Sequence, residues 1–363
     1  MKYDYLIVGC GMFGSVFARQ ATDAGKKVLI IDKRNHIAGN CYTENIKGIE
    51  VHKYGPHVFH TNNDMIWDYV NRFAKFNHFT YRAKARFKDK MYSFPINLMT
   101  LHQLWGVTTP EEAIKKLESV RVKIDNPKNL EEWILSQVGH EVYETFIKGY
   151  TKKQWNRDPK DLPAFIIKRL PIRMTYDDNY FNDRYQGIPI GGYTKMFNKI
   201  LEGVEVKLNV DFFEDKKRLK NIAENIIFTG KIDEYFDYRS GVLDYRTIKF
   251  DHRVMKGDYQ GNAAINHTDI SVDHTRTIEH KHFEFKKSDD TVVTFEYPEK
   301  WDSSKVPLYP LNNNENNLLY KQYRQIANKE CKNVLFGGRL AEYKYYDMHQ
   351  VIGSALSKSK KVL

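Results

Sequence analysis

The first 32 residues carry the pattern that most narrows the fold. Tyr3-Asp4-Tyr5-Leu6-Ile7-Val8 is an apolar run of strand length that ends at Gly9. Gly9-Cys10-Gly11-Met12-Phe13-Gly14 follows as GxGxxG, and Val16, Phe17, Gln20 and Ala21 then recur at helical spacing up to Gly25. Lys27-Val28-Leu29-Ile30-Ile31 reads as a second strand and runs into the acidic residue Asp32, 18 residues after Gly14. Strand, glycine turn, helix, strand and acid make one dinucleotide-binding unit. Gly9 permits the tight turn, Gly11 lets the backbone approach a pyrophosphate, and Gly14 lets helix and strand pack closely. The helix N-terminus offers N–H groups and positive dipole character to phosphates, and Asp32 stands where an acid accepts from a ribose hydroxyl.

The rest of the chain reads in three textures. Residues 63–80 look helical, with Ile66, Trp67, Tyr69, Val70 and Phe73 on one stripe. From about 95 to 180 the helical period dominates: Asn129 and Glu132 have capping-box spacing, and Leu130 to Tyr150 follow with apolar steps of three and four. From about 205 to 300 the pattern is sheet-like, starting at Phe228 and Tyr235–Tyr238. Arg276–Phe283 and Thr291–Phe295 alternate with period two around an Asp289-Asp290 turn. Asn333–Gly338 is a strand into a tight turn, followed by a helix carrying Val351, Ile352, Ala355 and Leu356.

Composition excludes several classes. Hydrophobic residues are 41% and charged residues 28%, the balance of a folded globular chain. No apolar run approaches the ~18 residues of a membrane span, so stable membrane insertion is not expected. Cys10, Cys41 and Cys331 form no CxxC pair, which points away from disulfides and zinc and toward a reducing cytoplasm. The net charge of +11 is spread along the chain, the pattern of anion attraction without a nucleic-acid-binding run. Aromatic residues reach 14%, which suits planar ligands and core packing equally well.

Two stretches in the middle are dense in chemistry. Phe146-Ile147-Lys148-Gly149-Tyr150-Thr151-Lys152-Lys153-Gln154-Trp155 sets aromatics at helical spacing, with Phe146 and Tyr150 on one face as a grip for a flat group or as core. Leu162–Arg173 and Asn179–Pro189 supply Arg and Tyr between prolines, the composition of a lid over an anion. His57 and His60 have no carboxylate or Cys partner at ligand spacing, so no metal site is expected there.

These stretches, together with Gly55-Pro56-His57-Val58-Phe59-His60-Thr61 and the segment from Gly337 to Gln350, closely resemble bacterial UDP-galactopyranose mutases over essentially the whole chain. The resemblance implies an α/β, Rossmann-like FAD-binding domain that is discontinuous: 1–80, part of 190–230, and 320–363. It implies an inserted helical bundle at 81–180 with a mobile lid at about 165–180, and a twisted antiparallel substrate sheet in parts of 181–319. It implies interconversion of UDP-galactopyranose and UDP-galactofuranose without net redox change, serving surface polysaccharide. The reduced flavin N5 would attack sugar C1 and give a covalent iminium intermediate. Gly9, Gly11, Phe13, Gly14, Asp32, Lys33, Gly39, Asn40, His57, Arg339, Asp347 and Met348 are implied FAD contacts. His57 and His60 are expected beside the flavin as catalytic groups. Arg169 and Arg246 are expected to neutralise the diphosphate, with Tyr180, Tyr309 and Tyr345 as hydroxyl donors. Phe146, Tyr150, Thr151 and Trp155 are implied around the nucleotide and sugar, with Tyr185 and Arg276 as further candidates. A homodimer and an external reductant, NAD(P)H or reduced flavin, complete the expectation. A mutase for UDP-N-acetylgalactopyranose and an amine-oxidase-like flavin oxidoreductase are the alternatives.

Overall fold

The computed structural model describes residues 2–164 and 172–363. The chain forms two compact units: Met1–His78, Asp183–Thr247 and Trp301–Leu363 make one, and Phe79–Asn182 with Ile248–Lys300 make the other. Arg169 and the segment 165–171 of the expected lid lie outside the described residues.

The first unit is built on a five-stranded parallel sheet in the order Val334–Phe336, Ala223–Phe228, Tyr3–Val8, Val28–Ile31, Glu205–Lys207. Its registers include Ile7 opposite Ile227 and Ile30, and Phe228 opposite Phe336. The N-terminal strand is therefore central, which explains its apolar run. Alternation divides two cores: Tyr5, Ile7, Val28 and Ile30 face one, while Leu6, Leu29, Ile31 and Phe228 face the other. The first core is closed by the helices Met12–Asp23, Gly192–Ile200 and Met348–Val362. Phe228 ends a strand of this sheet, and Ile232–Tyr235 is a short helix, so the sheet-like texture expected from there is two different things.

The second unit joins helices and an antiparallel sheet around one core. The hairpin Lys84–Phe87/Lys90–Ser93 adds to the sheet by parallel pairing of Lys84–Arg86 with Ile265–His267. Ala264–His267, Arg276–Glu279 and Asp290–Lys300 continue it antiparallel. Ala85 and Tyr92 of the hairpin lie in the same apolar core as Leu101, Leu117, Ile134, Val138 and Phe146 of the helices. Helices and strands thus share one body where the sequence texture suggested two. The period-two run ends early, because His280–Glu284 winds into a 3₁₀ turn.

The expected long helix is interrupted twice. Asn129 caps it by accepting from Glu132 N at 2.9 Å, while the Glu132 carboxylate takes Lys128 N at 2.7 Å. Gly139 then leaves helical geometry at φ +74°, where a Cβ would meet Val120 O at 2.3 Å. Tyr143–Lys148 is a π-helical turn, and Gly149–Trp155 resumes the α-helix. Among the described residues, no helix is long and apolar enough to cross a membrane.

Candidate functional site

One cavity of the first unit collects the N-terminal motif. Gly9, Gly11, Phe13, Asp32, Lys33, Gly39, Asn40, His57, Arg339 and Met348 all line it. The backbone is fitted to this closeness. A Cβ on Gly39 would come 2.9 Å from Gly11 Cα, and a Cβ on Gly9 would meet Thr229 Oγ1 at 2.0 Å. Gly14 does not line the cavity; its Cβ would lie 2.0 Å from Gly9 O, so it sets the helix against the strand. Gly11 caps the first helix with no side-chain acceptor, which leaves first-turn N–H groups for an anion. Asp32 is anchored by Cys10 N at 2.7 Å and Arg34 N at 2.9 Å. This cradle of close glycines, helix N-terminus and anchored acid fits a dinucleotide.

Cys41 also lines the cavity, but burial pushes its thiol up to about 12 and denies it nucleophilic character. Arg34, Thr229 and the segment Val210–Phe213 line it as well, and sequence reasoning missed them. Thr229 directly follows the apolar strand Ala223–Phe228, the signal that could have found it. Arg34 reaches Asn40 Oδ1 at 2.9 Å and covers Tyr54.

The two sequence histidines sit differently. His57 lines the cavity and its backbone N–H donates to His52 Nδ1 at 3.0 Å. His60 is buried, and its Nδ1 pairs with Asp183, which also accepts from Asn62. The missing carboxylate is therefore present after all, supplied by chain folding and not by local spacing. Ligand-type atoms of His60, Asp347 and His349 lie within 4.8 Å of one another. Burial, then the neighbouring His60, lowers the His349 pKa. Asp347 itself caps the last helix, outside the cavity lining.

A second group in this unit centres on Arg246. It pairs across the strands with Tyr309, whose ring stacks on Tyr345 at 4.9 Å. Arg339 covers both rings and ties its guanidinium to Tyr346 O and Leu308 O. Tyr185 is not part of this group: its hydroxyl donates to Asp64 at 2.7 Å and its ring stacks on Trp67.

In the second unit, Arg276 donates through Nε and Nη2 to Glu296 Oε2, both at 2.8 Å. Burial raises the Glu296 pKa and outweighs the arginine. Tyr81 and Tyr150 both sense the Arg276 charge. The exposed Tyr180 meets Tyr81 edge-on at 5.0 Å. Thr151 is buried, and Trp155, half-buried, ends its helix against the core. Phe146 is a core residue, 2% exposed and edge-on to Tyr92 at 5.0 Å. The π-helical turn breaks the simple i,i+4 relation that paired it with Tyr150.

Asp258, Glu279 and His282 form another cluster of the second unit. Lys281 Nζ lies 3.2 Å from Asp258 Oδ1, so the counter-charge is already provided by the chain.

A family model described as UDP-galactopyranose mutase matches residues 145–345, and one described as an NAD(P)-binding Rossmann-like domain matches 7–73. A dTDP-fucopyranose mutase of Escherichia coli is 40% identical, over 97% of this chain and 96% of its own. A probable UDP-galactopyranose mutase of Klebsiella pneumoniae is also 40% identical, over 99% and 94%. Among solved structures, a reduced UDP-galactopyranose mutase superposes with a TM-score of 0.77, covering 100% of this chain and 94% of that one at 13% identity. That likeness bears on the fold.

Proposed function

The chain belongs to the UDP-galactopyranose mutase family, and on that premise we propose that it interconverts UDP-galactopyranose and UDP-galactofuranose on a bound, reduced FAD. The observation that carries the cofactor is the cavity of Gly9, Gly11, Asp32, Gly39 and Arg339. When bound, the reduced flavin supplies a nucleophile for sugar C1. The chain's own residues hold, orient and neutralise.

Arg246 with Tyr309 and Tyr345 forms a cationic, hydroxyl-rich group suited to a diphosphate, whose departure from C1 develops negative charge. The diphosphate must return after the ring has changed size, so holding it matters as much as releasing it. Arg169 is proposed for the same duty. Tyr150, Thr151, Trp155, Tyr180 and Arg276 are proposed as nucleotide and sugar contacts. Asp183 holds the Nδ1 side of His60, which orients the ring and leaves Nε2 for a proton-handling role. We further propose a homodimer, an external reductant, and a product used in surface polysaccharide.

A second reading concerns the substrate. The 40% identity to a dTDP-fucopyranose mutase equals that to the UDP-galactose relative, so a thymidine diphosphate 6-deoxysugar competes with the UDP-sugar. One experiment tests both. The purified protein should show flavin absorbance and, after dithionite, convert UDP-galactofuranose to the pyranose. The same assay with dTDP-fucofuranose and the N-acetyl UDP-sugar ranks the substrates. No conversion of any of the three under full reduction overturns the mutase reading.

A further inference from the structure

Lys153 has an unusual set of partners. Its ammonium donates to four backbone carbonyls: His267 O at 2.8 Å, Asp269 O at 2.7 Å, Val272 O at 2.9 Å and His274 O at 3.0 Å. Three N–H groups shared among four acceptors saturate the charge in the way a bound metal cation would. The four carbonyls run from His267, the last residue of its strand, through the loop that follows it. His267 N bonds Thr275 O, and Thr275 N bonds Glu296 O, so the loop closes on the residue just before Arg276. One turn earlier on the same helix face, Gly149 presses on this loop; a Cβ there would stand 2.2 Å from Thr268 O. The helix so clamped carries Tyr150 and Thr151.

We propose that Lys153 is a positioning residue of the nucleotide-sugar site, fixing the Arg276 loop against the helix that bears Tyr150 and Thr151. The inference rests on the nucleotide-sugar reading for its functional half. Burial, opposed by Asp269 and Asp273, lowers the lysine from its usual 10.5 to about 8. The other groups facing it are His267 and His274, with Arg86 and Arg253 acting on those histidines. Both histidines are held at about 3 and about 4, so neither titrates near 8. As pH rises through about 8 the donor count falls from three to two and the carbonyl ring loosens. Linkage runs the other way for global stability: the native chain holds fewer protons than the unfolded one from about 8 to 10.5, so stability does not fall there.

The test uses the full-length flavoprotein with Lys153→Met, Lys153→Arg and the exposed neighbour Lys152→Met. Lys153→Met should weaken UDP binding and kcat/KM about tenfold with flavin content unchanged. Its amides at 268–275 should exchange faster with deuterium. Wild-type UDP affinity should decline as pH rises above about 8; Lys153→Arg should restore much of the binding and abolish that decline, and Lys152→Met should behave as wild type. Wild-type exchange at 268–275 in Lys153→Met overturns the clamp. Faster exchange with unchanged kcat/KM and UDP affinity overturns its role in the site. Wild-type protein that binds no UDP refutes the nucleotide-sugar reading, while the exchange result still decides the clamp.

Discussion

Arg276 and Glu296 show how much one residue can carry. Glu296 is 1% exposed, and among the described residues its carboxylate is balanced by the Arg276 guanidinium. Arg276→Ala should cost about 3–5 kcal/mol in denaturant unfolding at pH 7, because a buried charge is left alone. The folded-state pKa of Glu296 is already raised, so the native state binds the proton more tightly than the unfolded chain. Stability of the variant should therefore recover as pH falls toward 5, and Arg276→Ala combined with Glu296→Gln should recover at pH 7. A loss that is flat with pH argues against an orphaned carboxylate. Residue roles of this kind were only half legible. Arg276 stood out through resemblance, but Glu296 and Tyr81 sat in an alternating strand and an aromatic-rich stretch with nothing to mark them. Likewise Asp183 is 123 residues from His60, and no spacing rule reaches that far.

At the scale of elements, the N-terminal unit was legible because its signals are local: an apolar strand, three spaced glycines and a helical stripe within 32 residues. The hairpin Lys84–Ser93 was not. Its strands hold four residues each, rich in Lys and Arg, and their partner lies at Ile265–His267, about 180 positions away. The break at Gly139 and the π-helical turn were hidden for the opposite reason, since apolar steps of three and four ran straight through them. Gly14 offers the sharpest test of an element junction. Gly14→Ala puts a methyl group 2.0 Å from Gly9 O, so the first helix must retreat from the strand. Stability should drop by about 1–3 kcal/mol in thermal or denaturant melts, and the purified protein should carry less flavin. A variant that melts and binds flavin as wild type would show that the helix has room to spare.

At the scale of the whole molecule, three of the described histidines are pushed down to about 4 or below. Burial, then His57, brings His52 to about 3; burial, then His274, brings His267 to about 3; burial, then Lys153, brings His274 to about 4. Each folded pKa lies below the ordinary 6.5, so this stability is present above pH 6.5 and is lost as pH falls. Each should take up to about 1.4 kcal/mol per pH unit, less for half-buried His274. A Tm that holds steady from pH 6.5 to 4.5 would falsify their neutral burial. The two interleaved units add a constraint on biosynthesis. The second unit is complete at Lys300, but the first needs Trp301–Leu363. Val334–Phe336 is its edge strand, Val351, Ile352 and Ala355 share a core with Phe17 and Ala18, and Tyr5 Oη donates to Val362 O. On the ribosome, the unit that holds the glycine turn therefore closes only after the second unit's residues have been made. About 60 further residues, roughly 3–13 s of translation, separate completion of the second unit's chain from that of the first. During that interval the central apolar strand of the nascent chain is a client for whatever shields unfinished sheets.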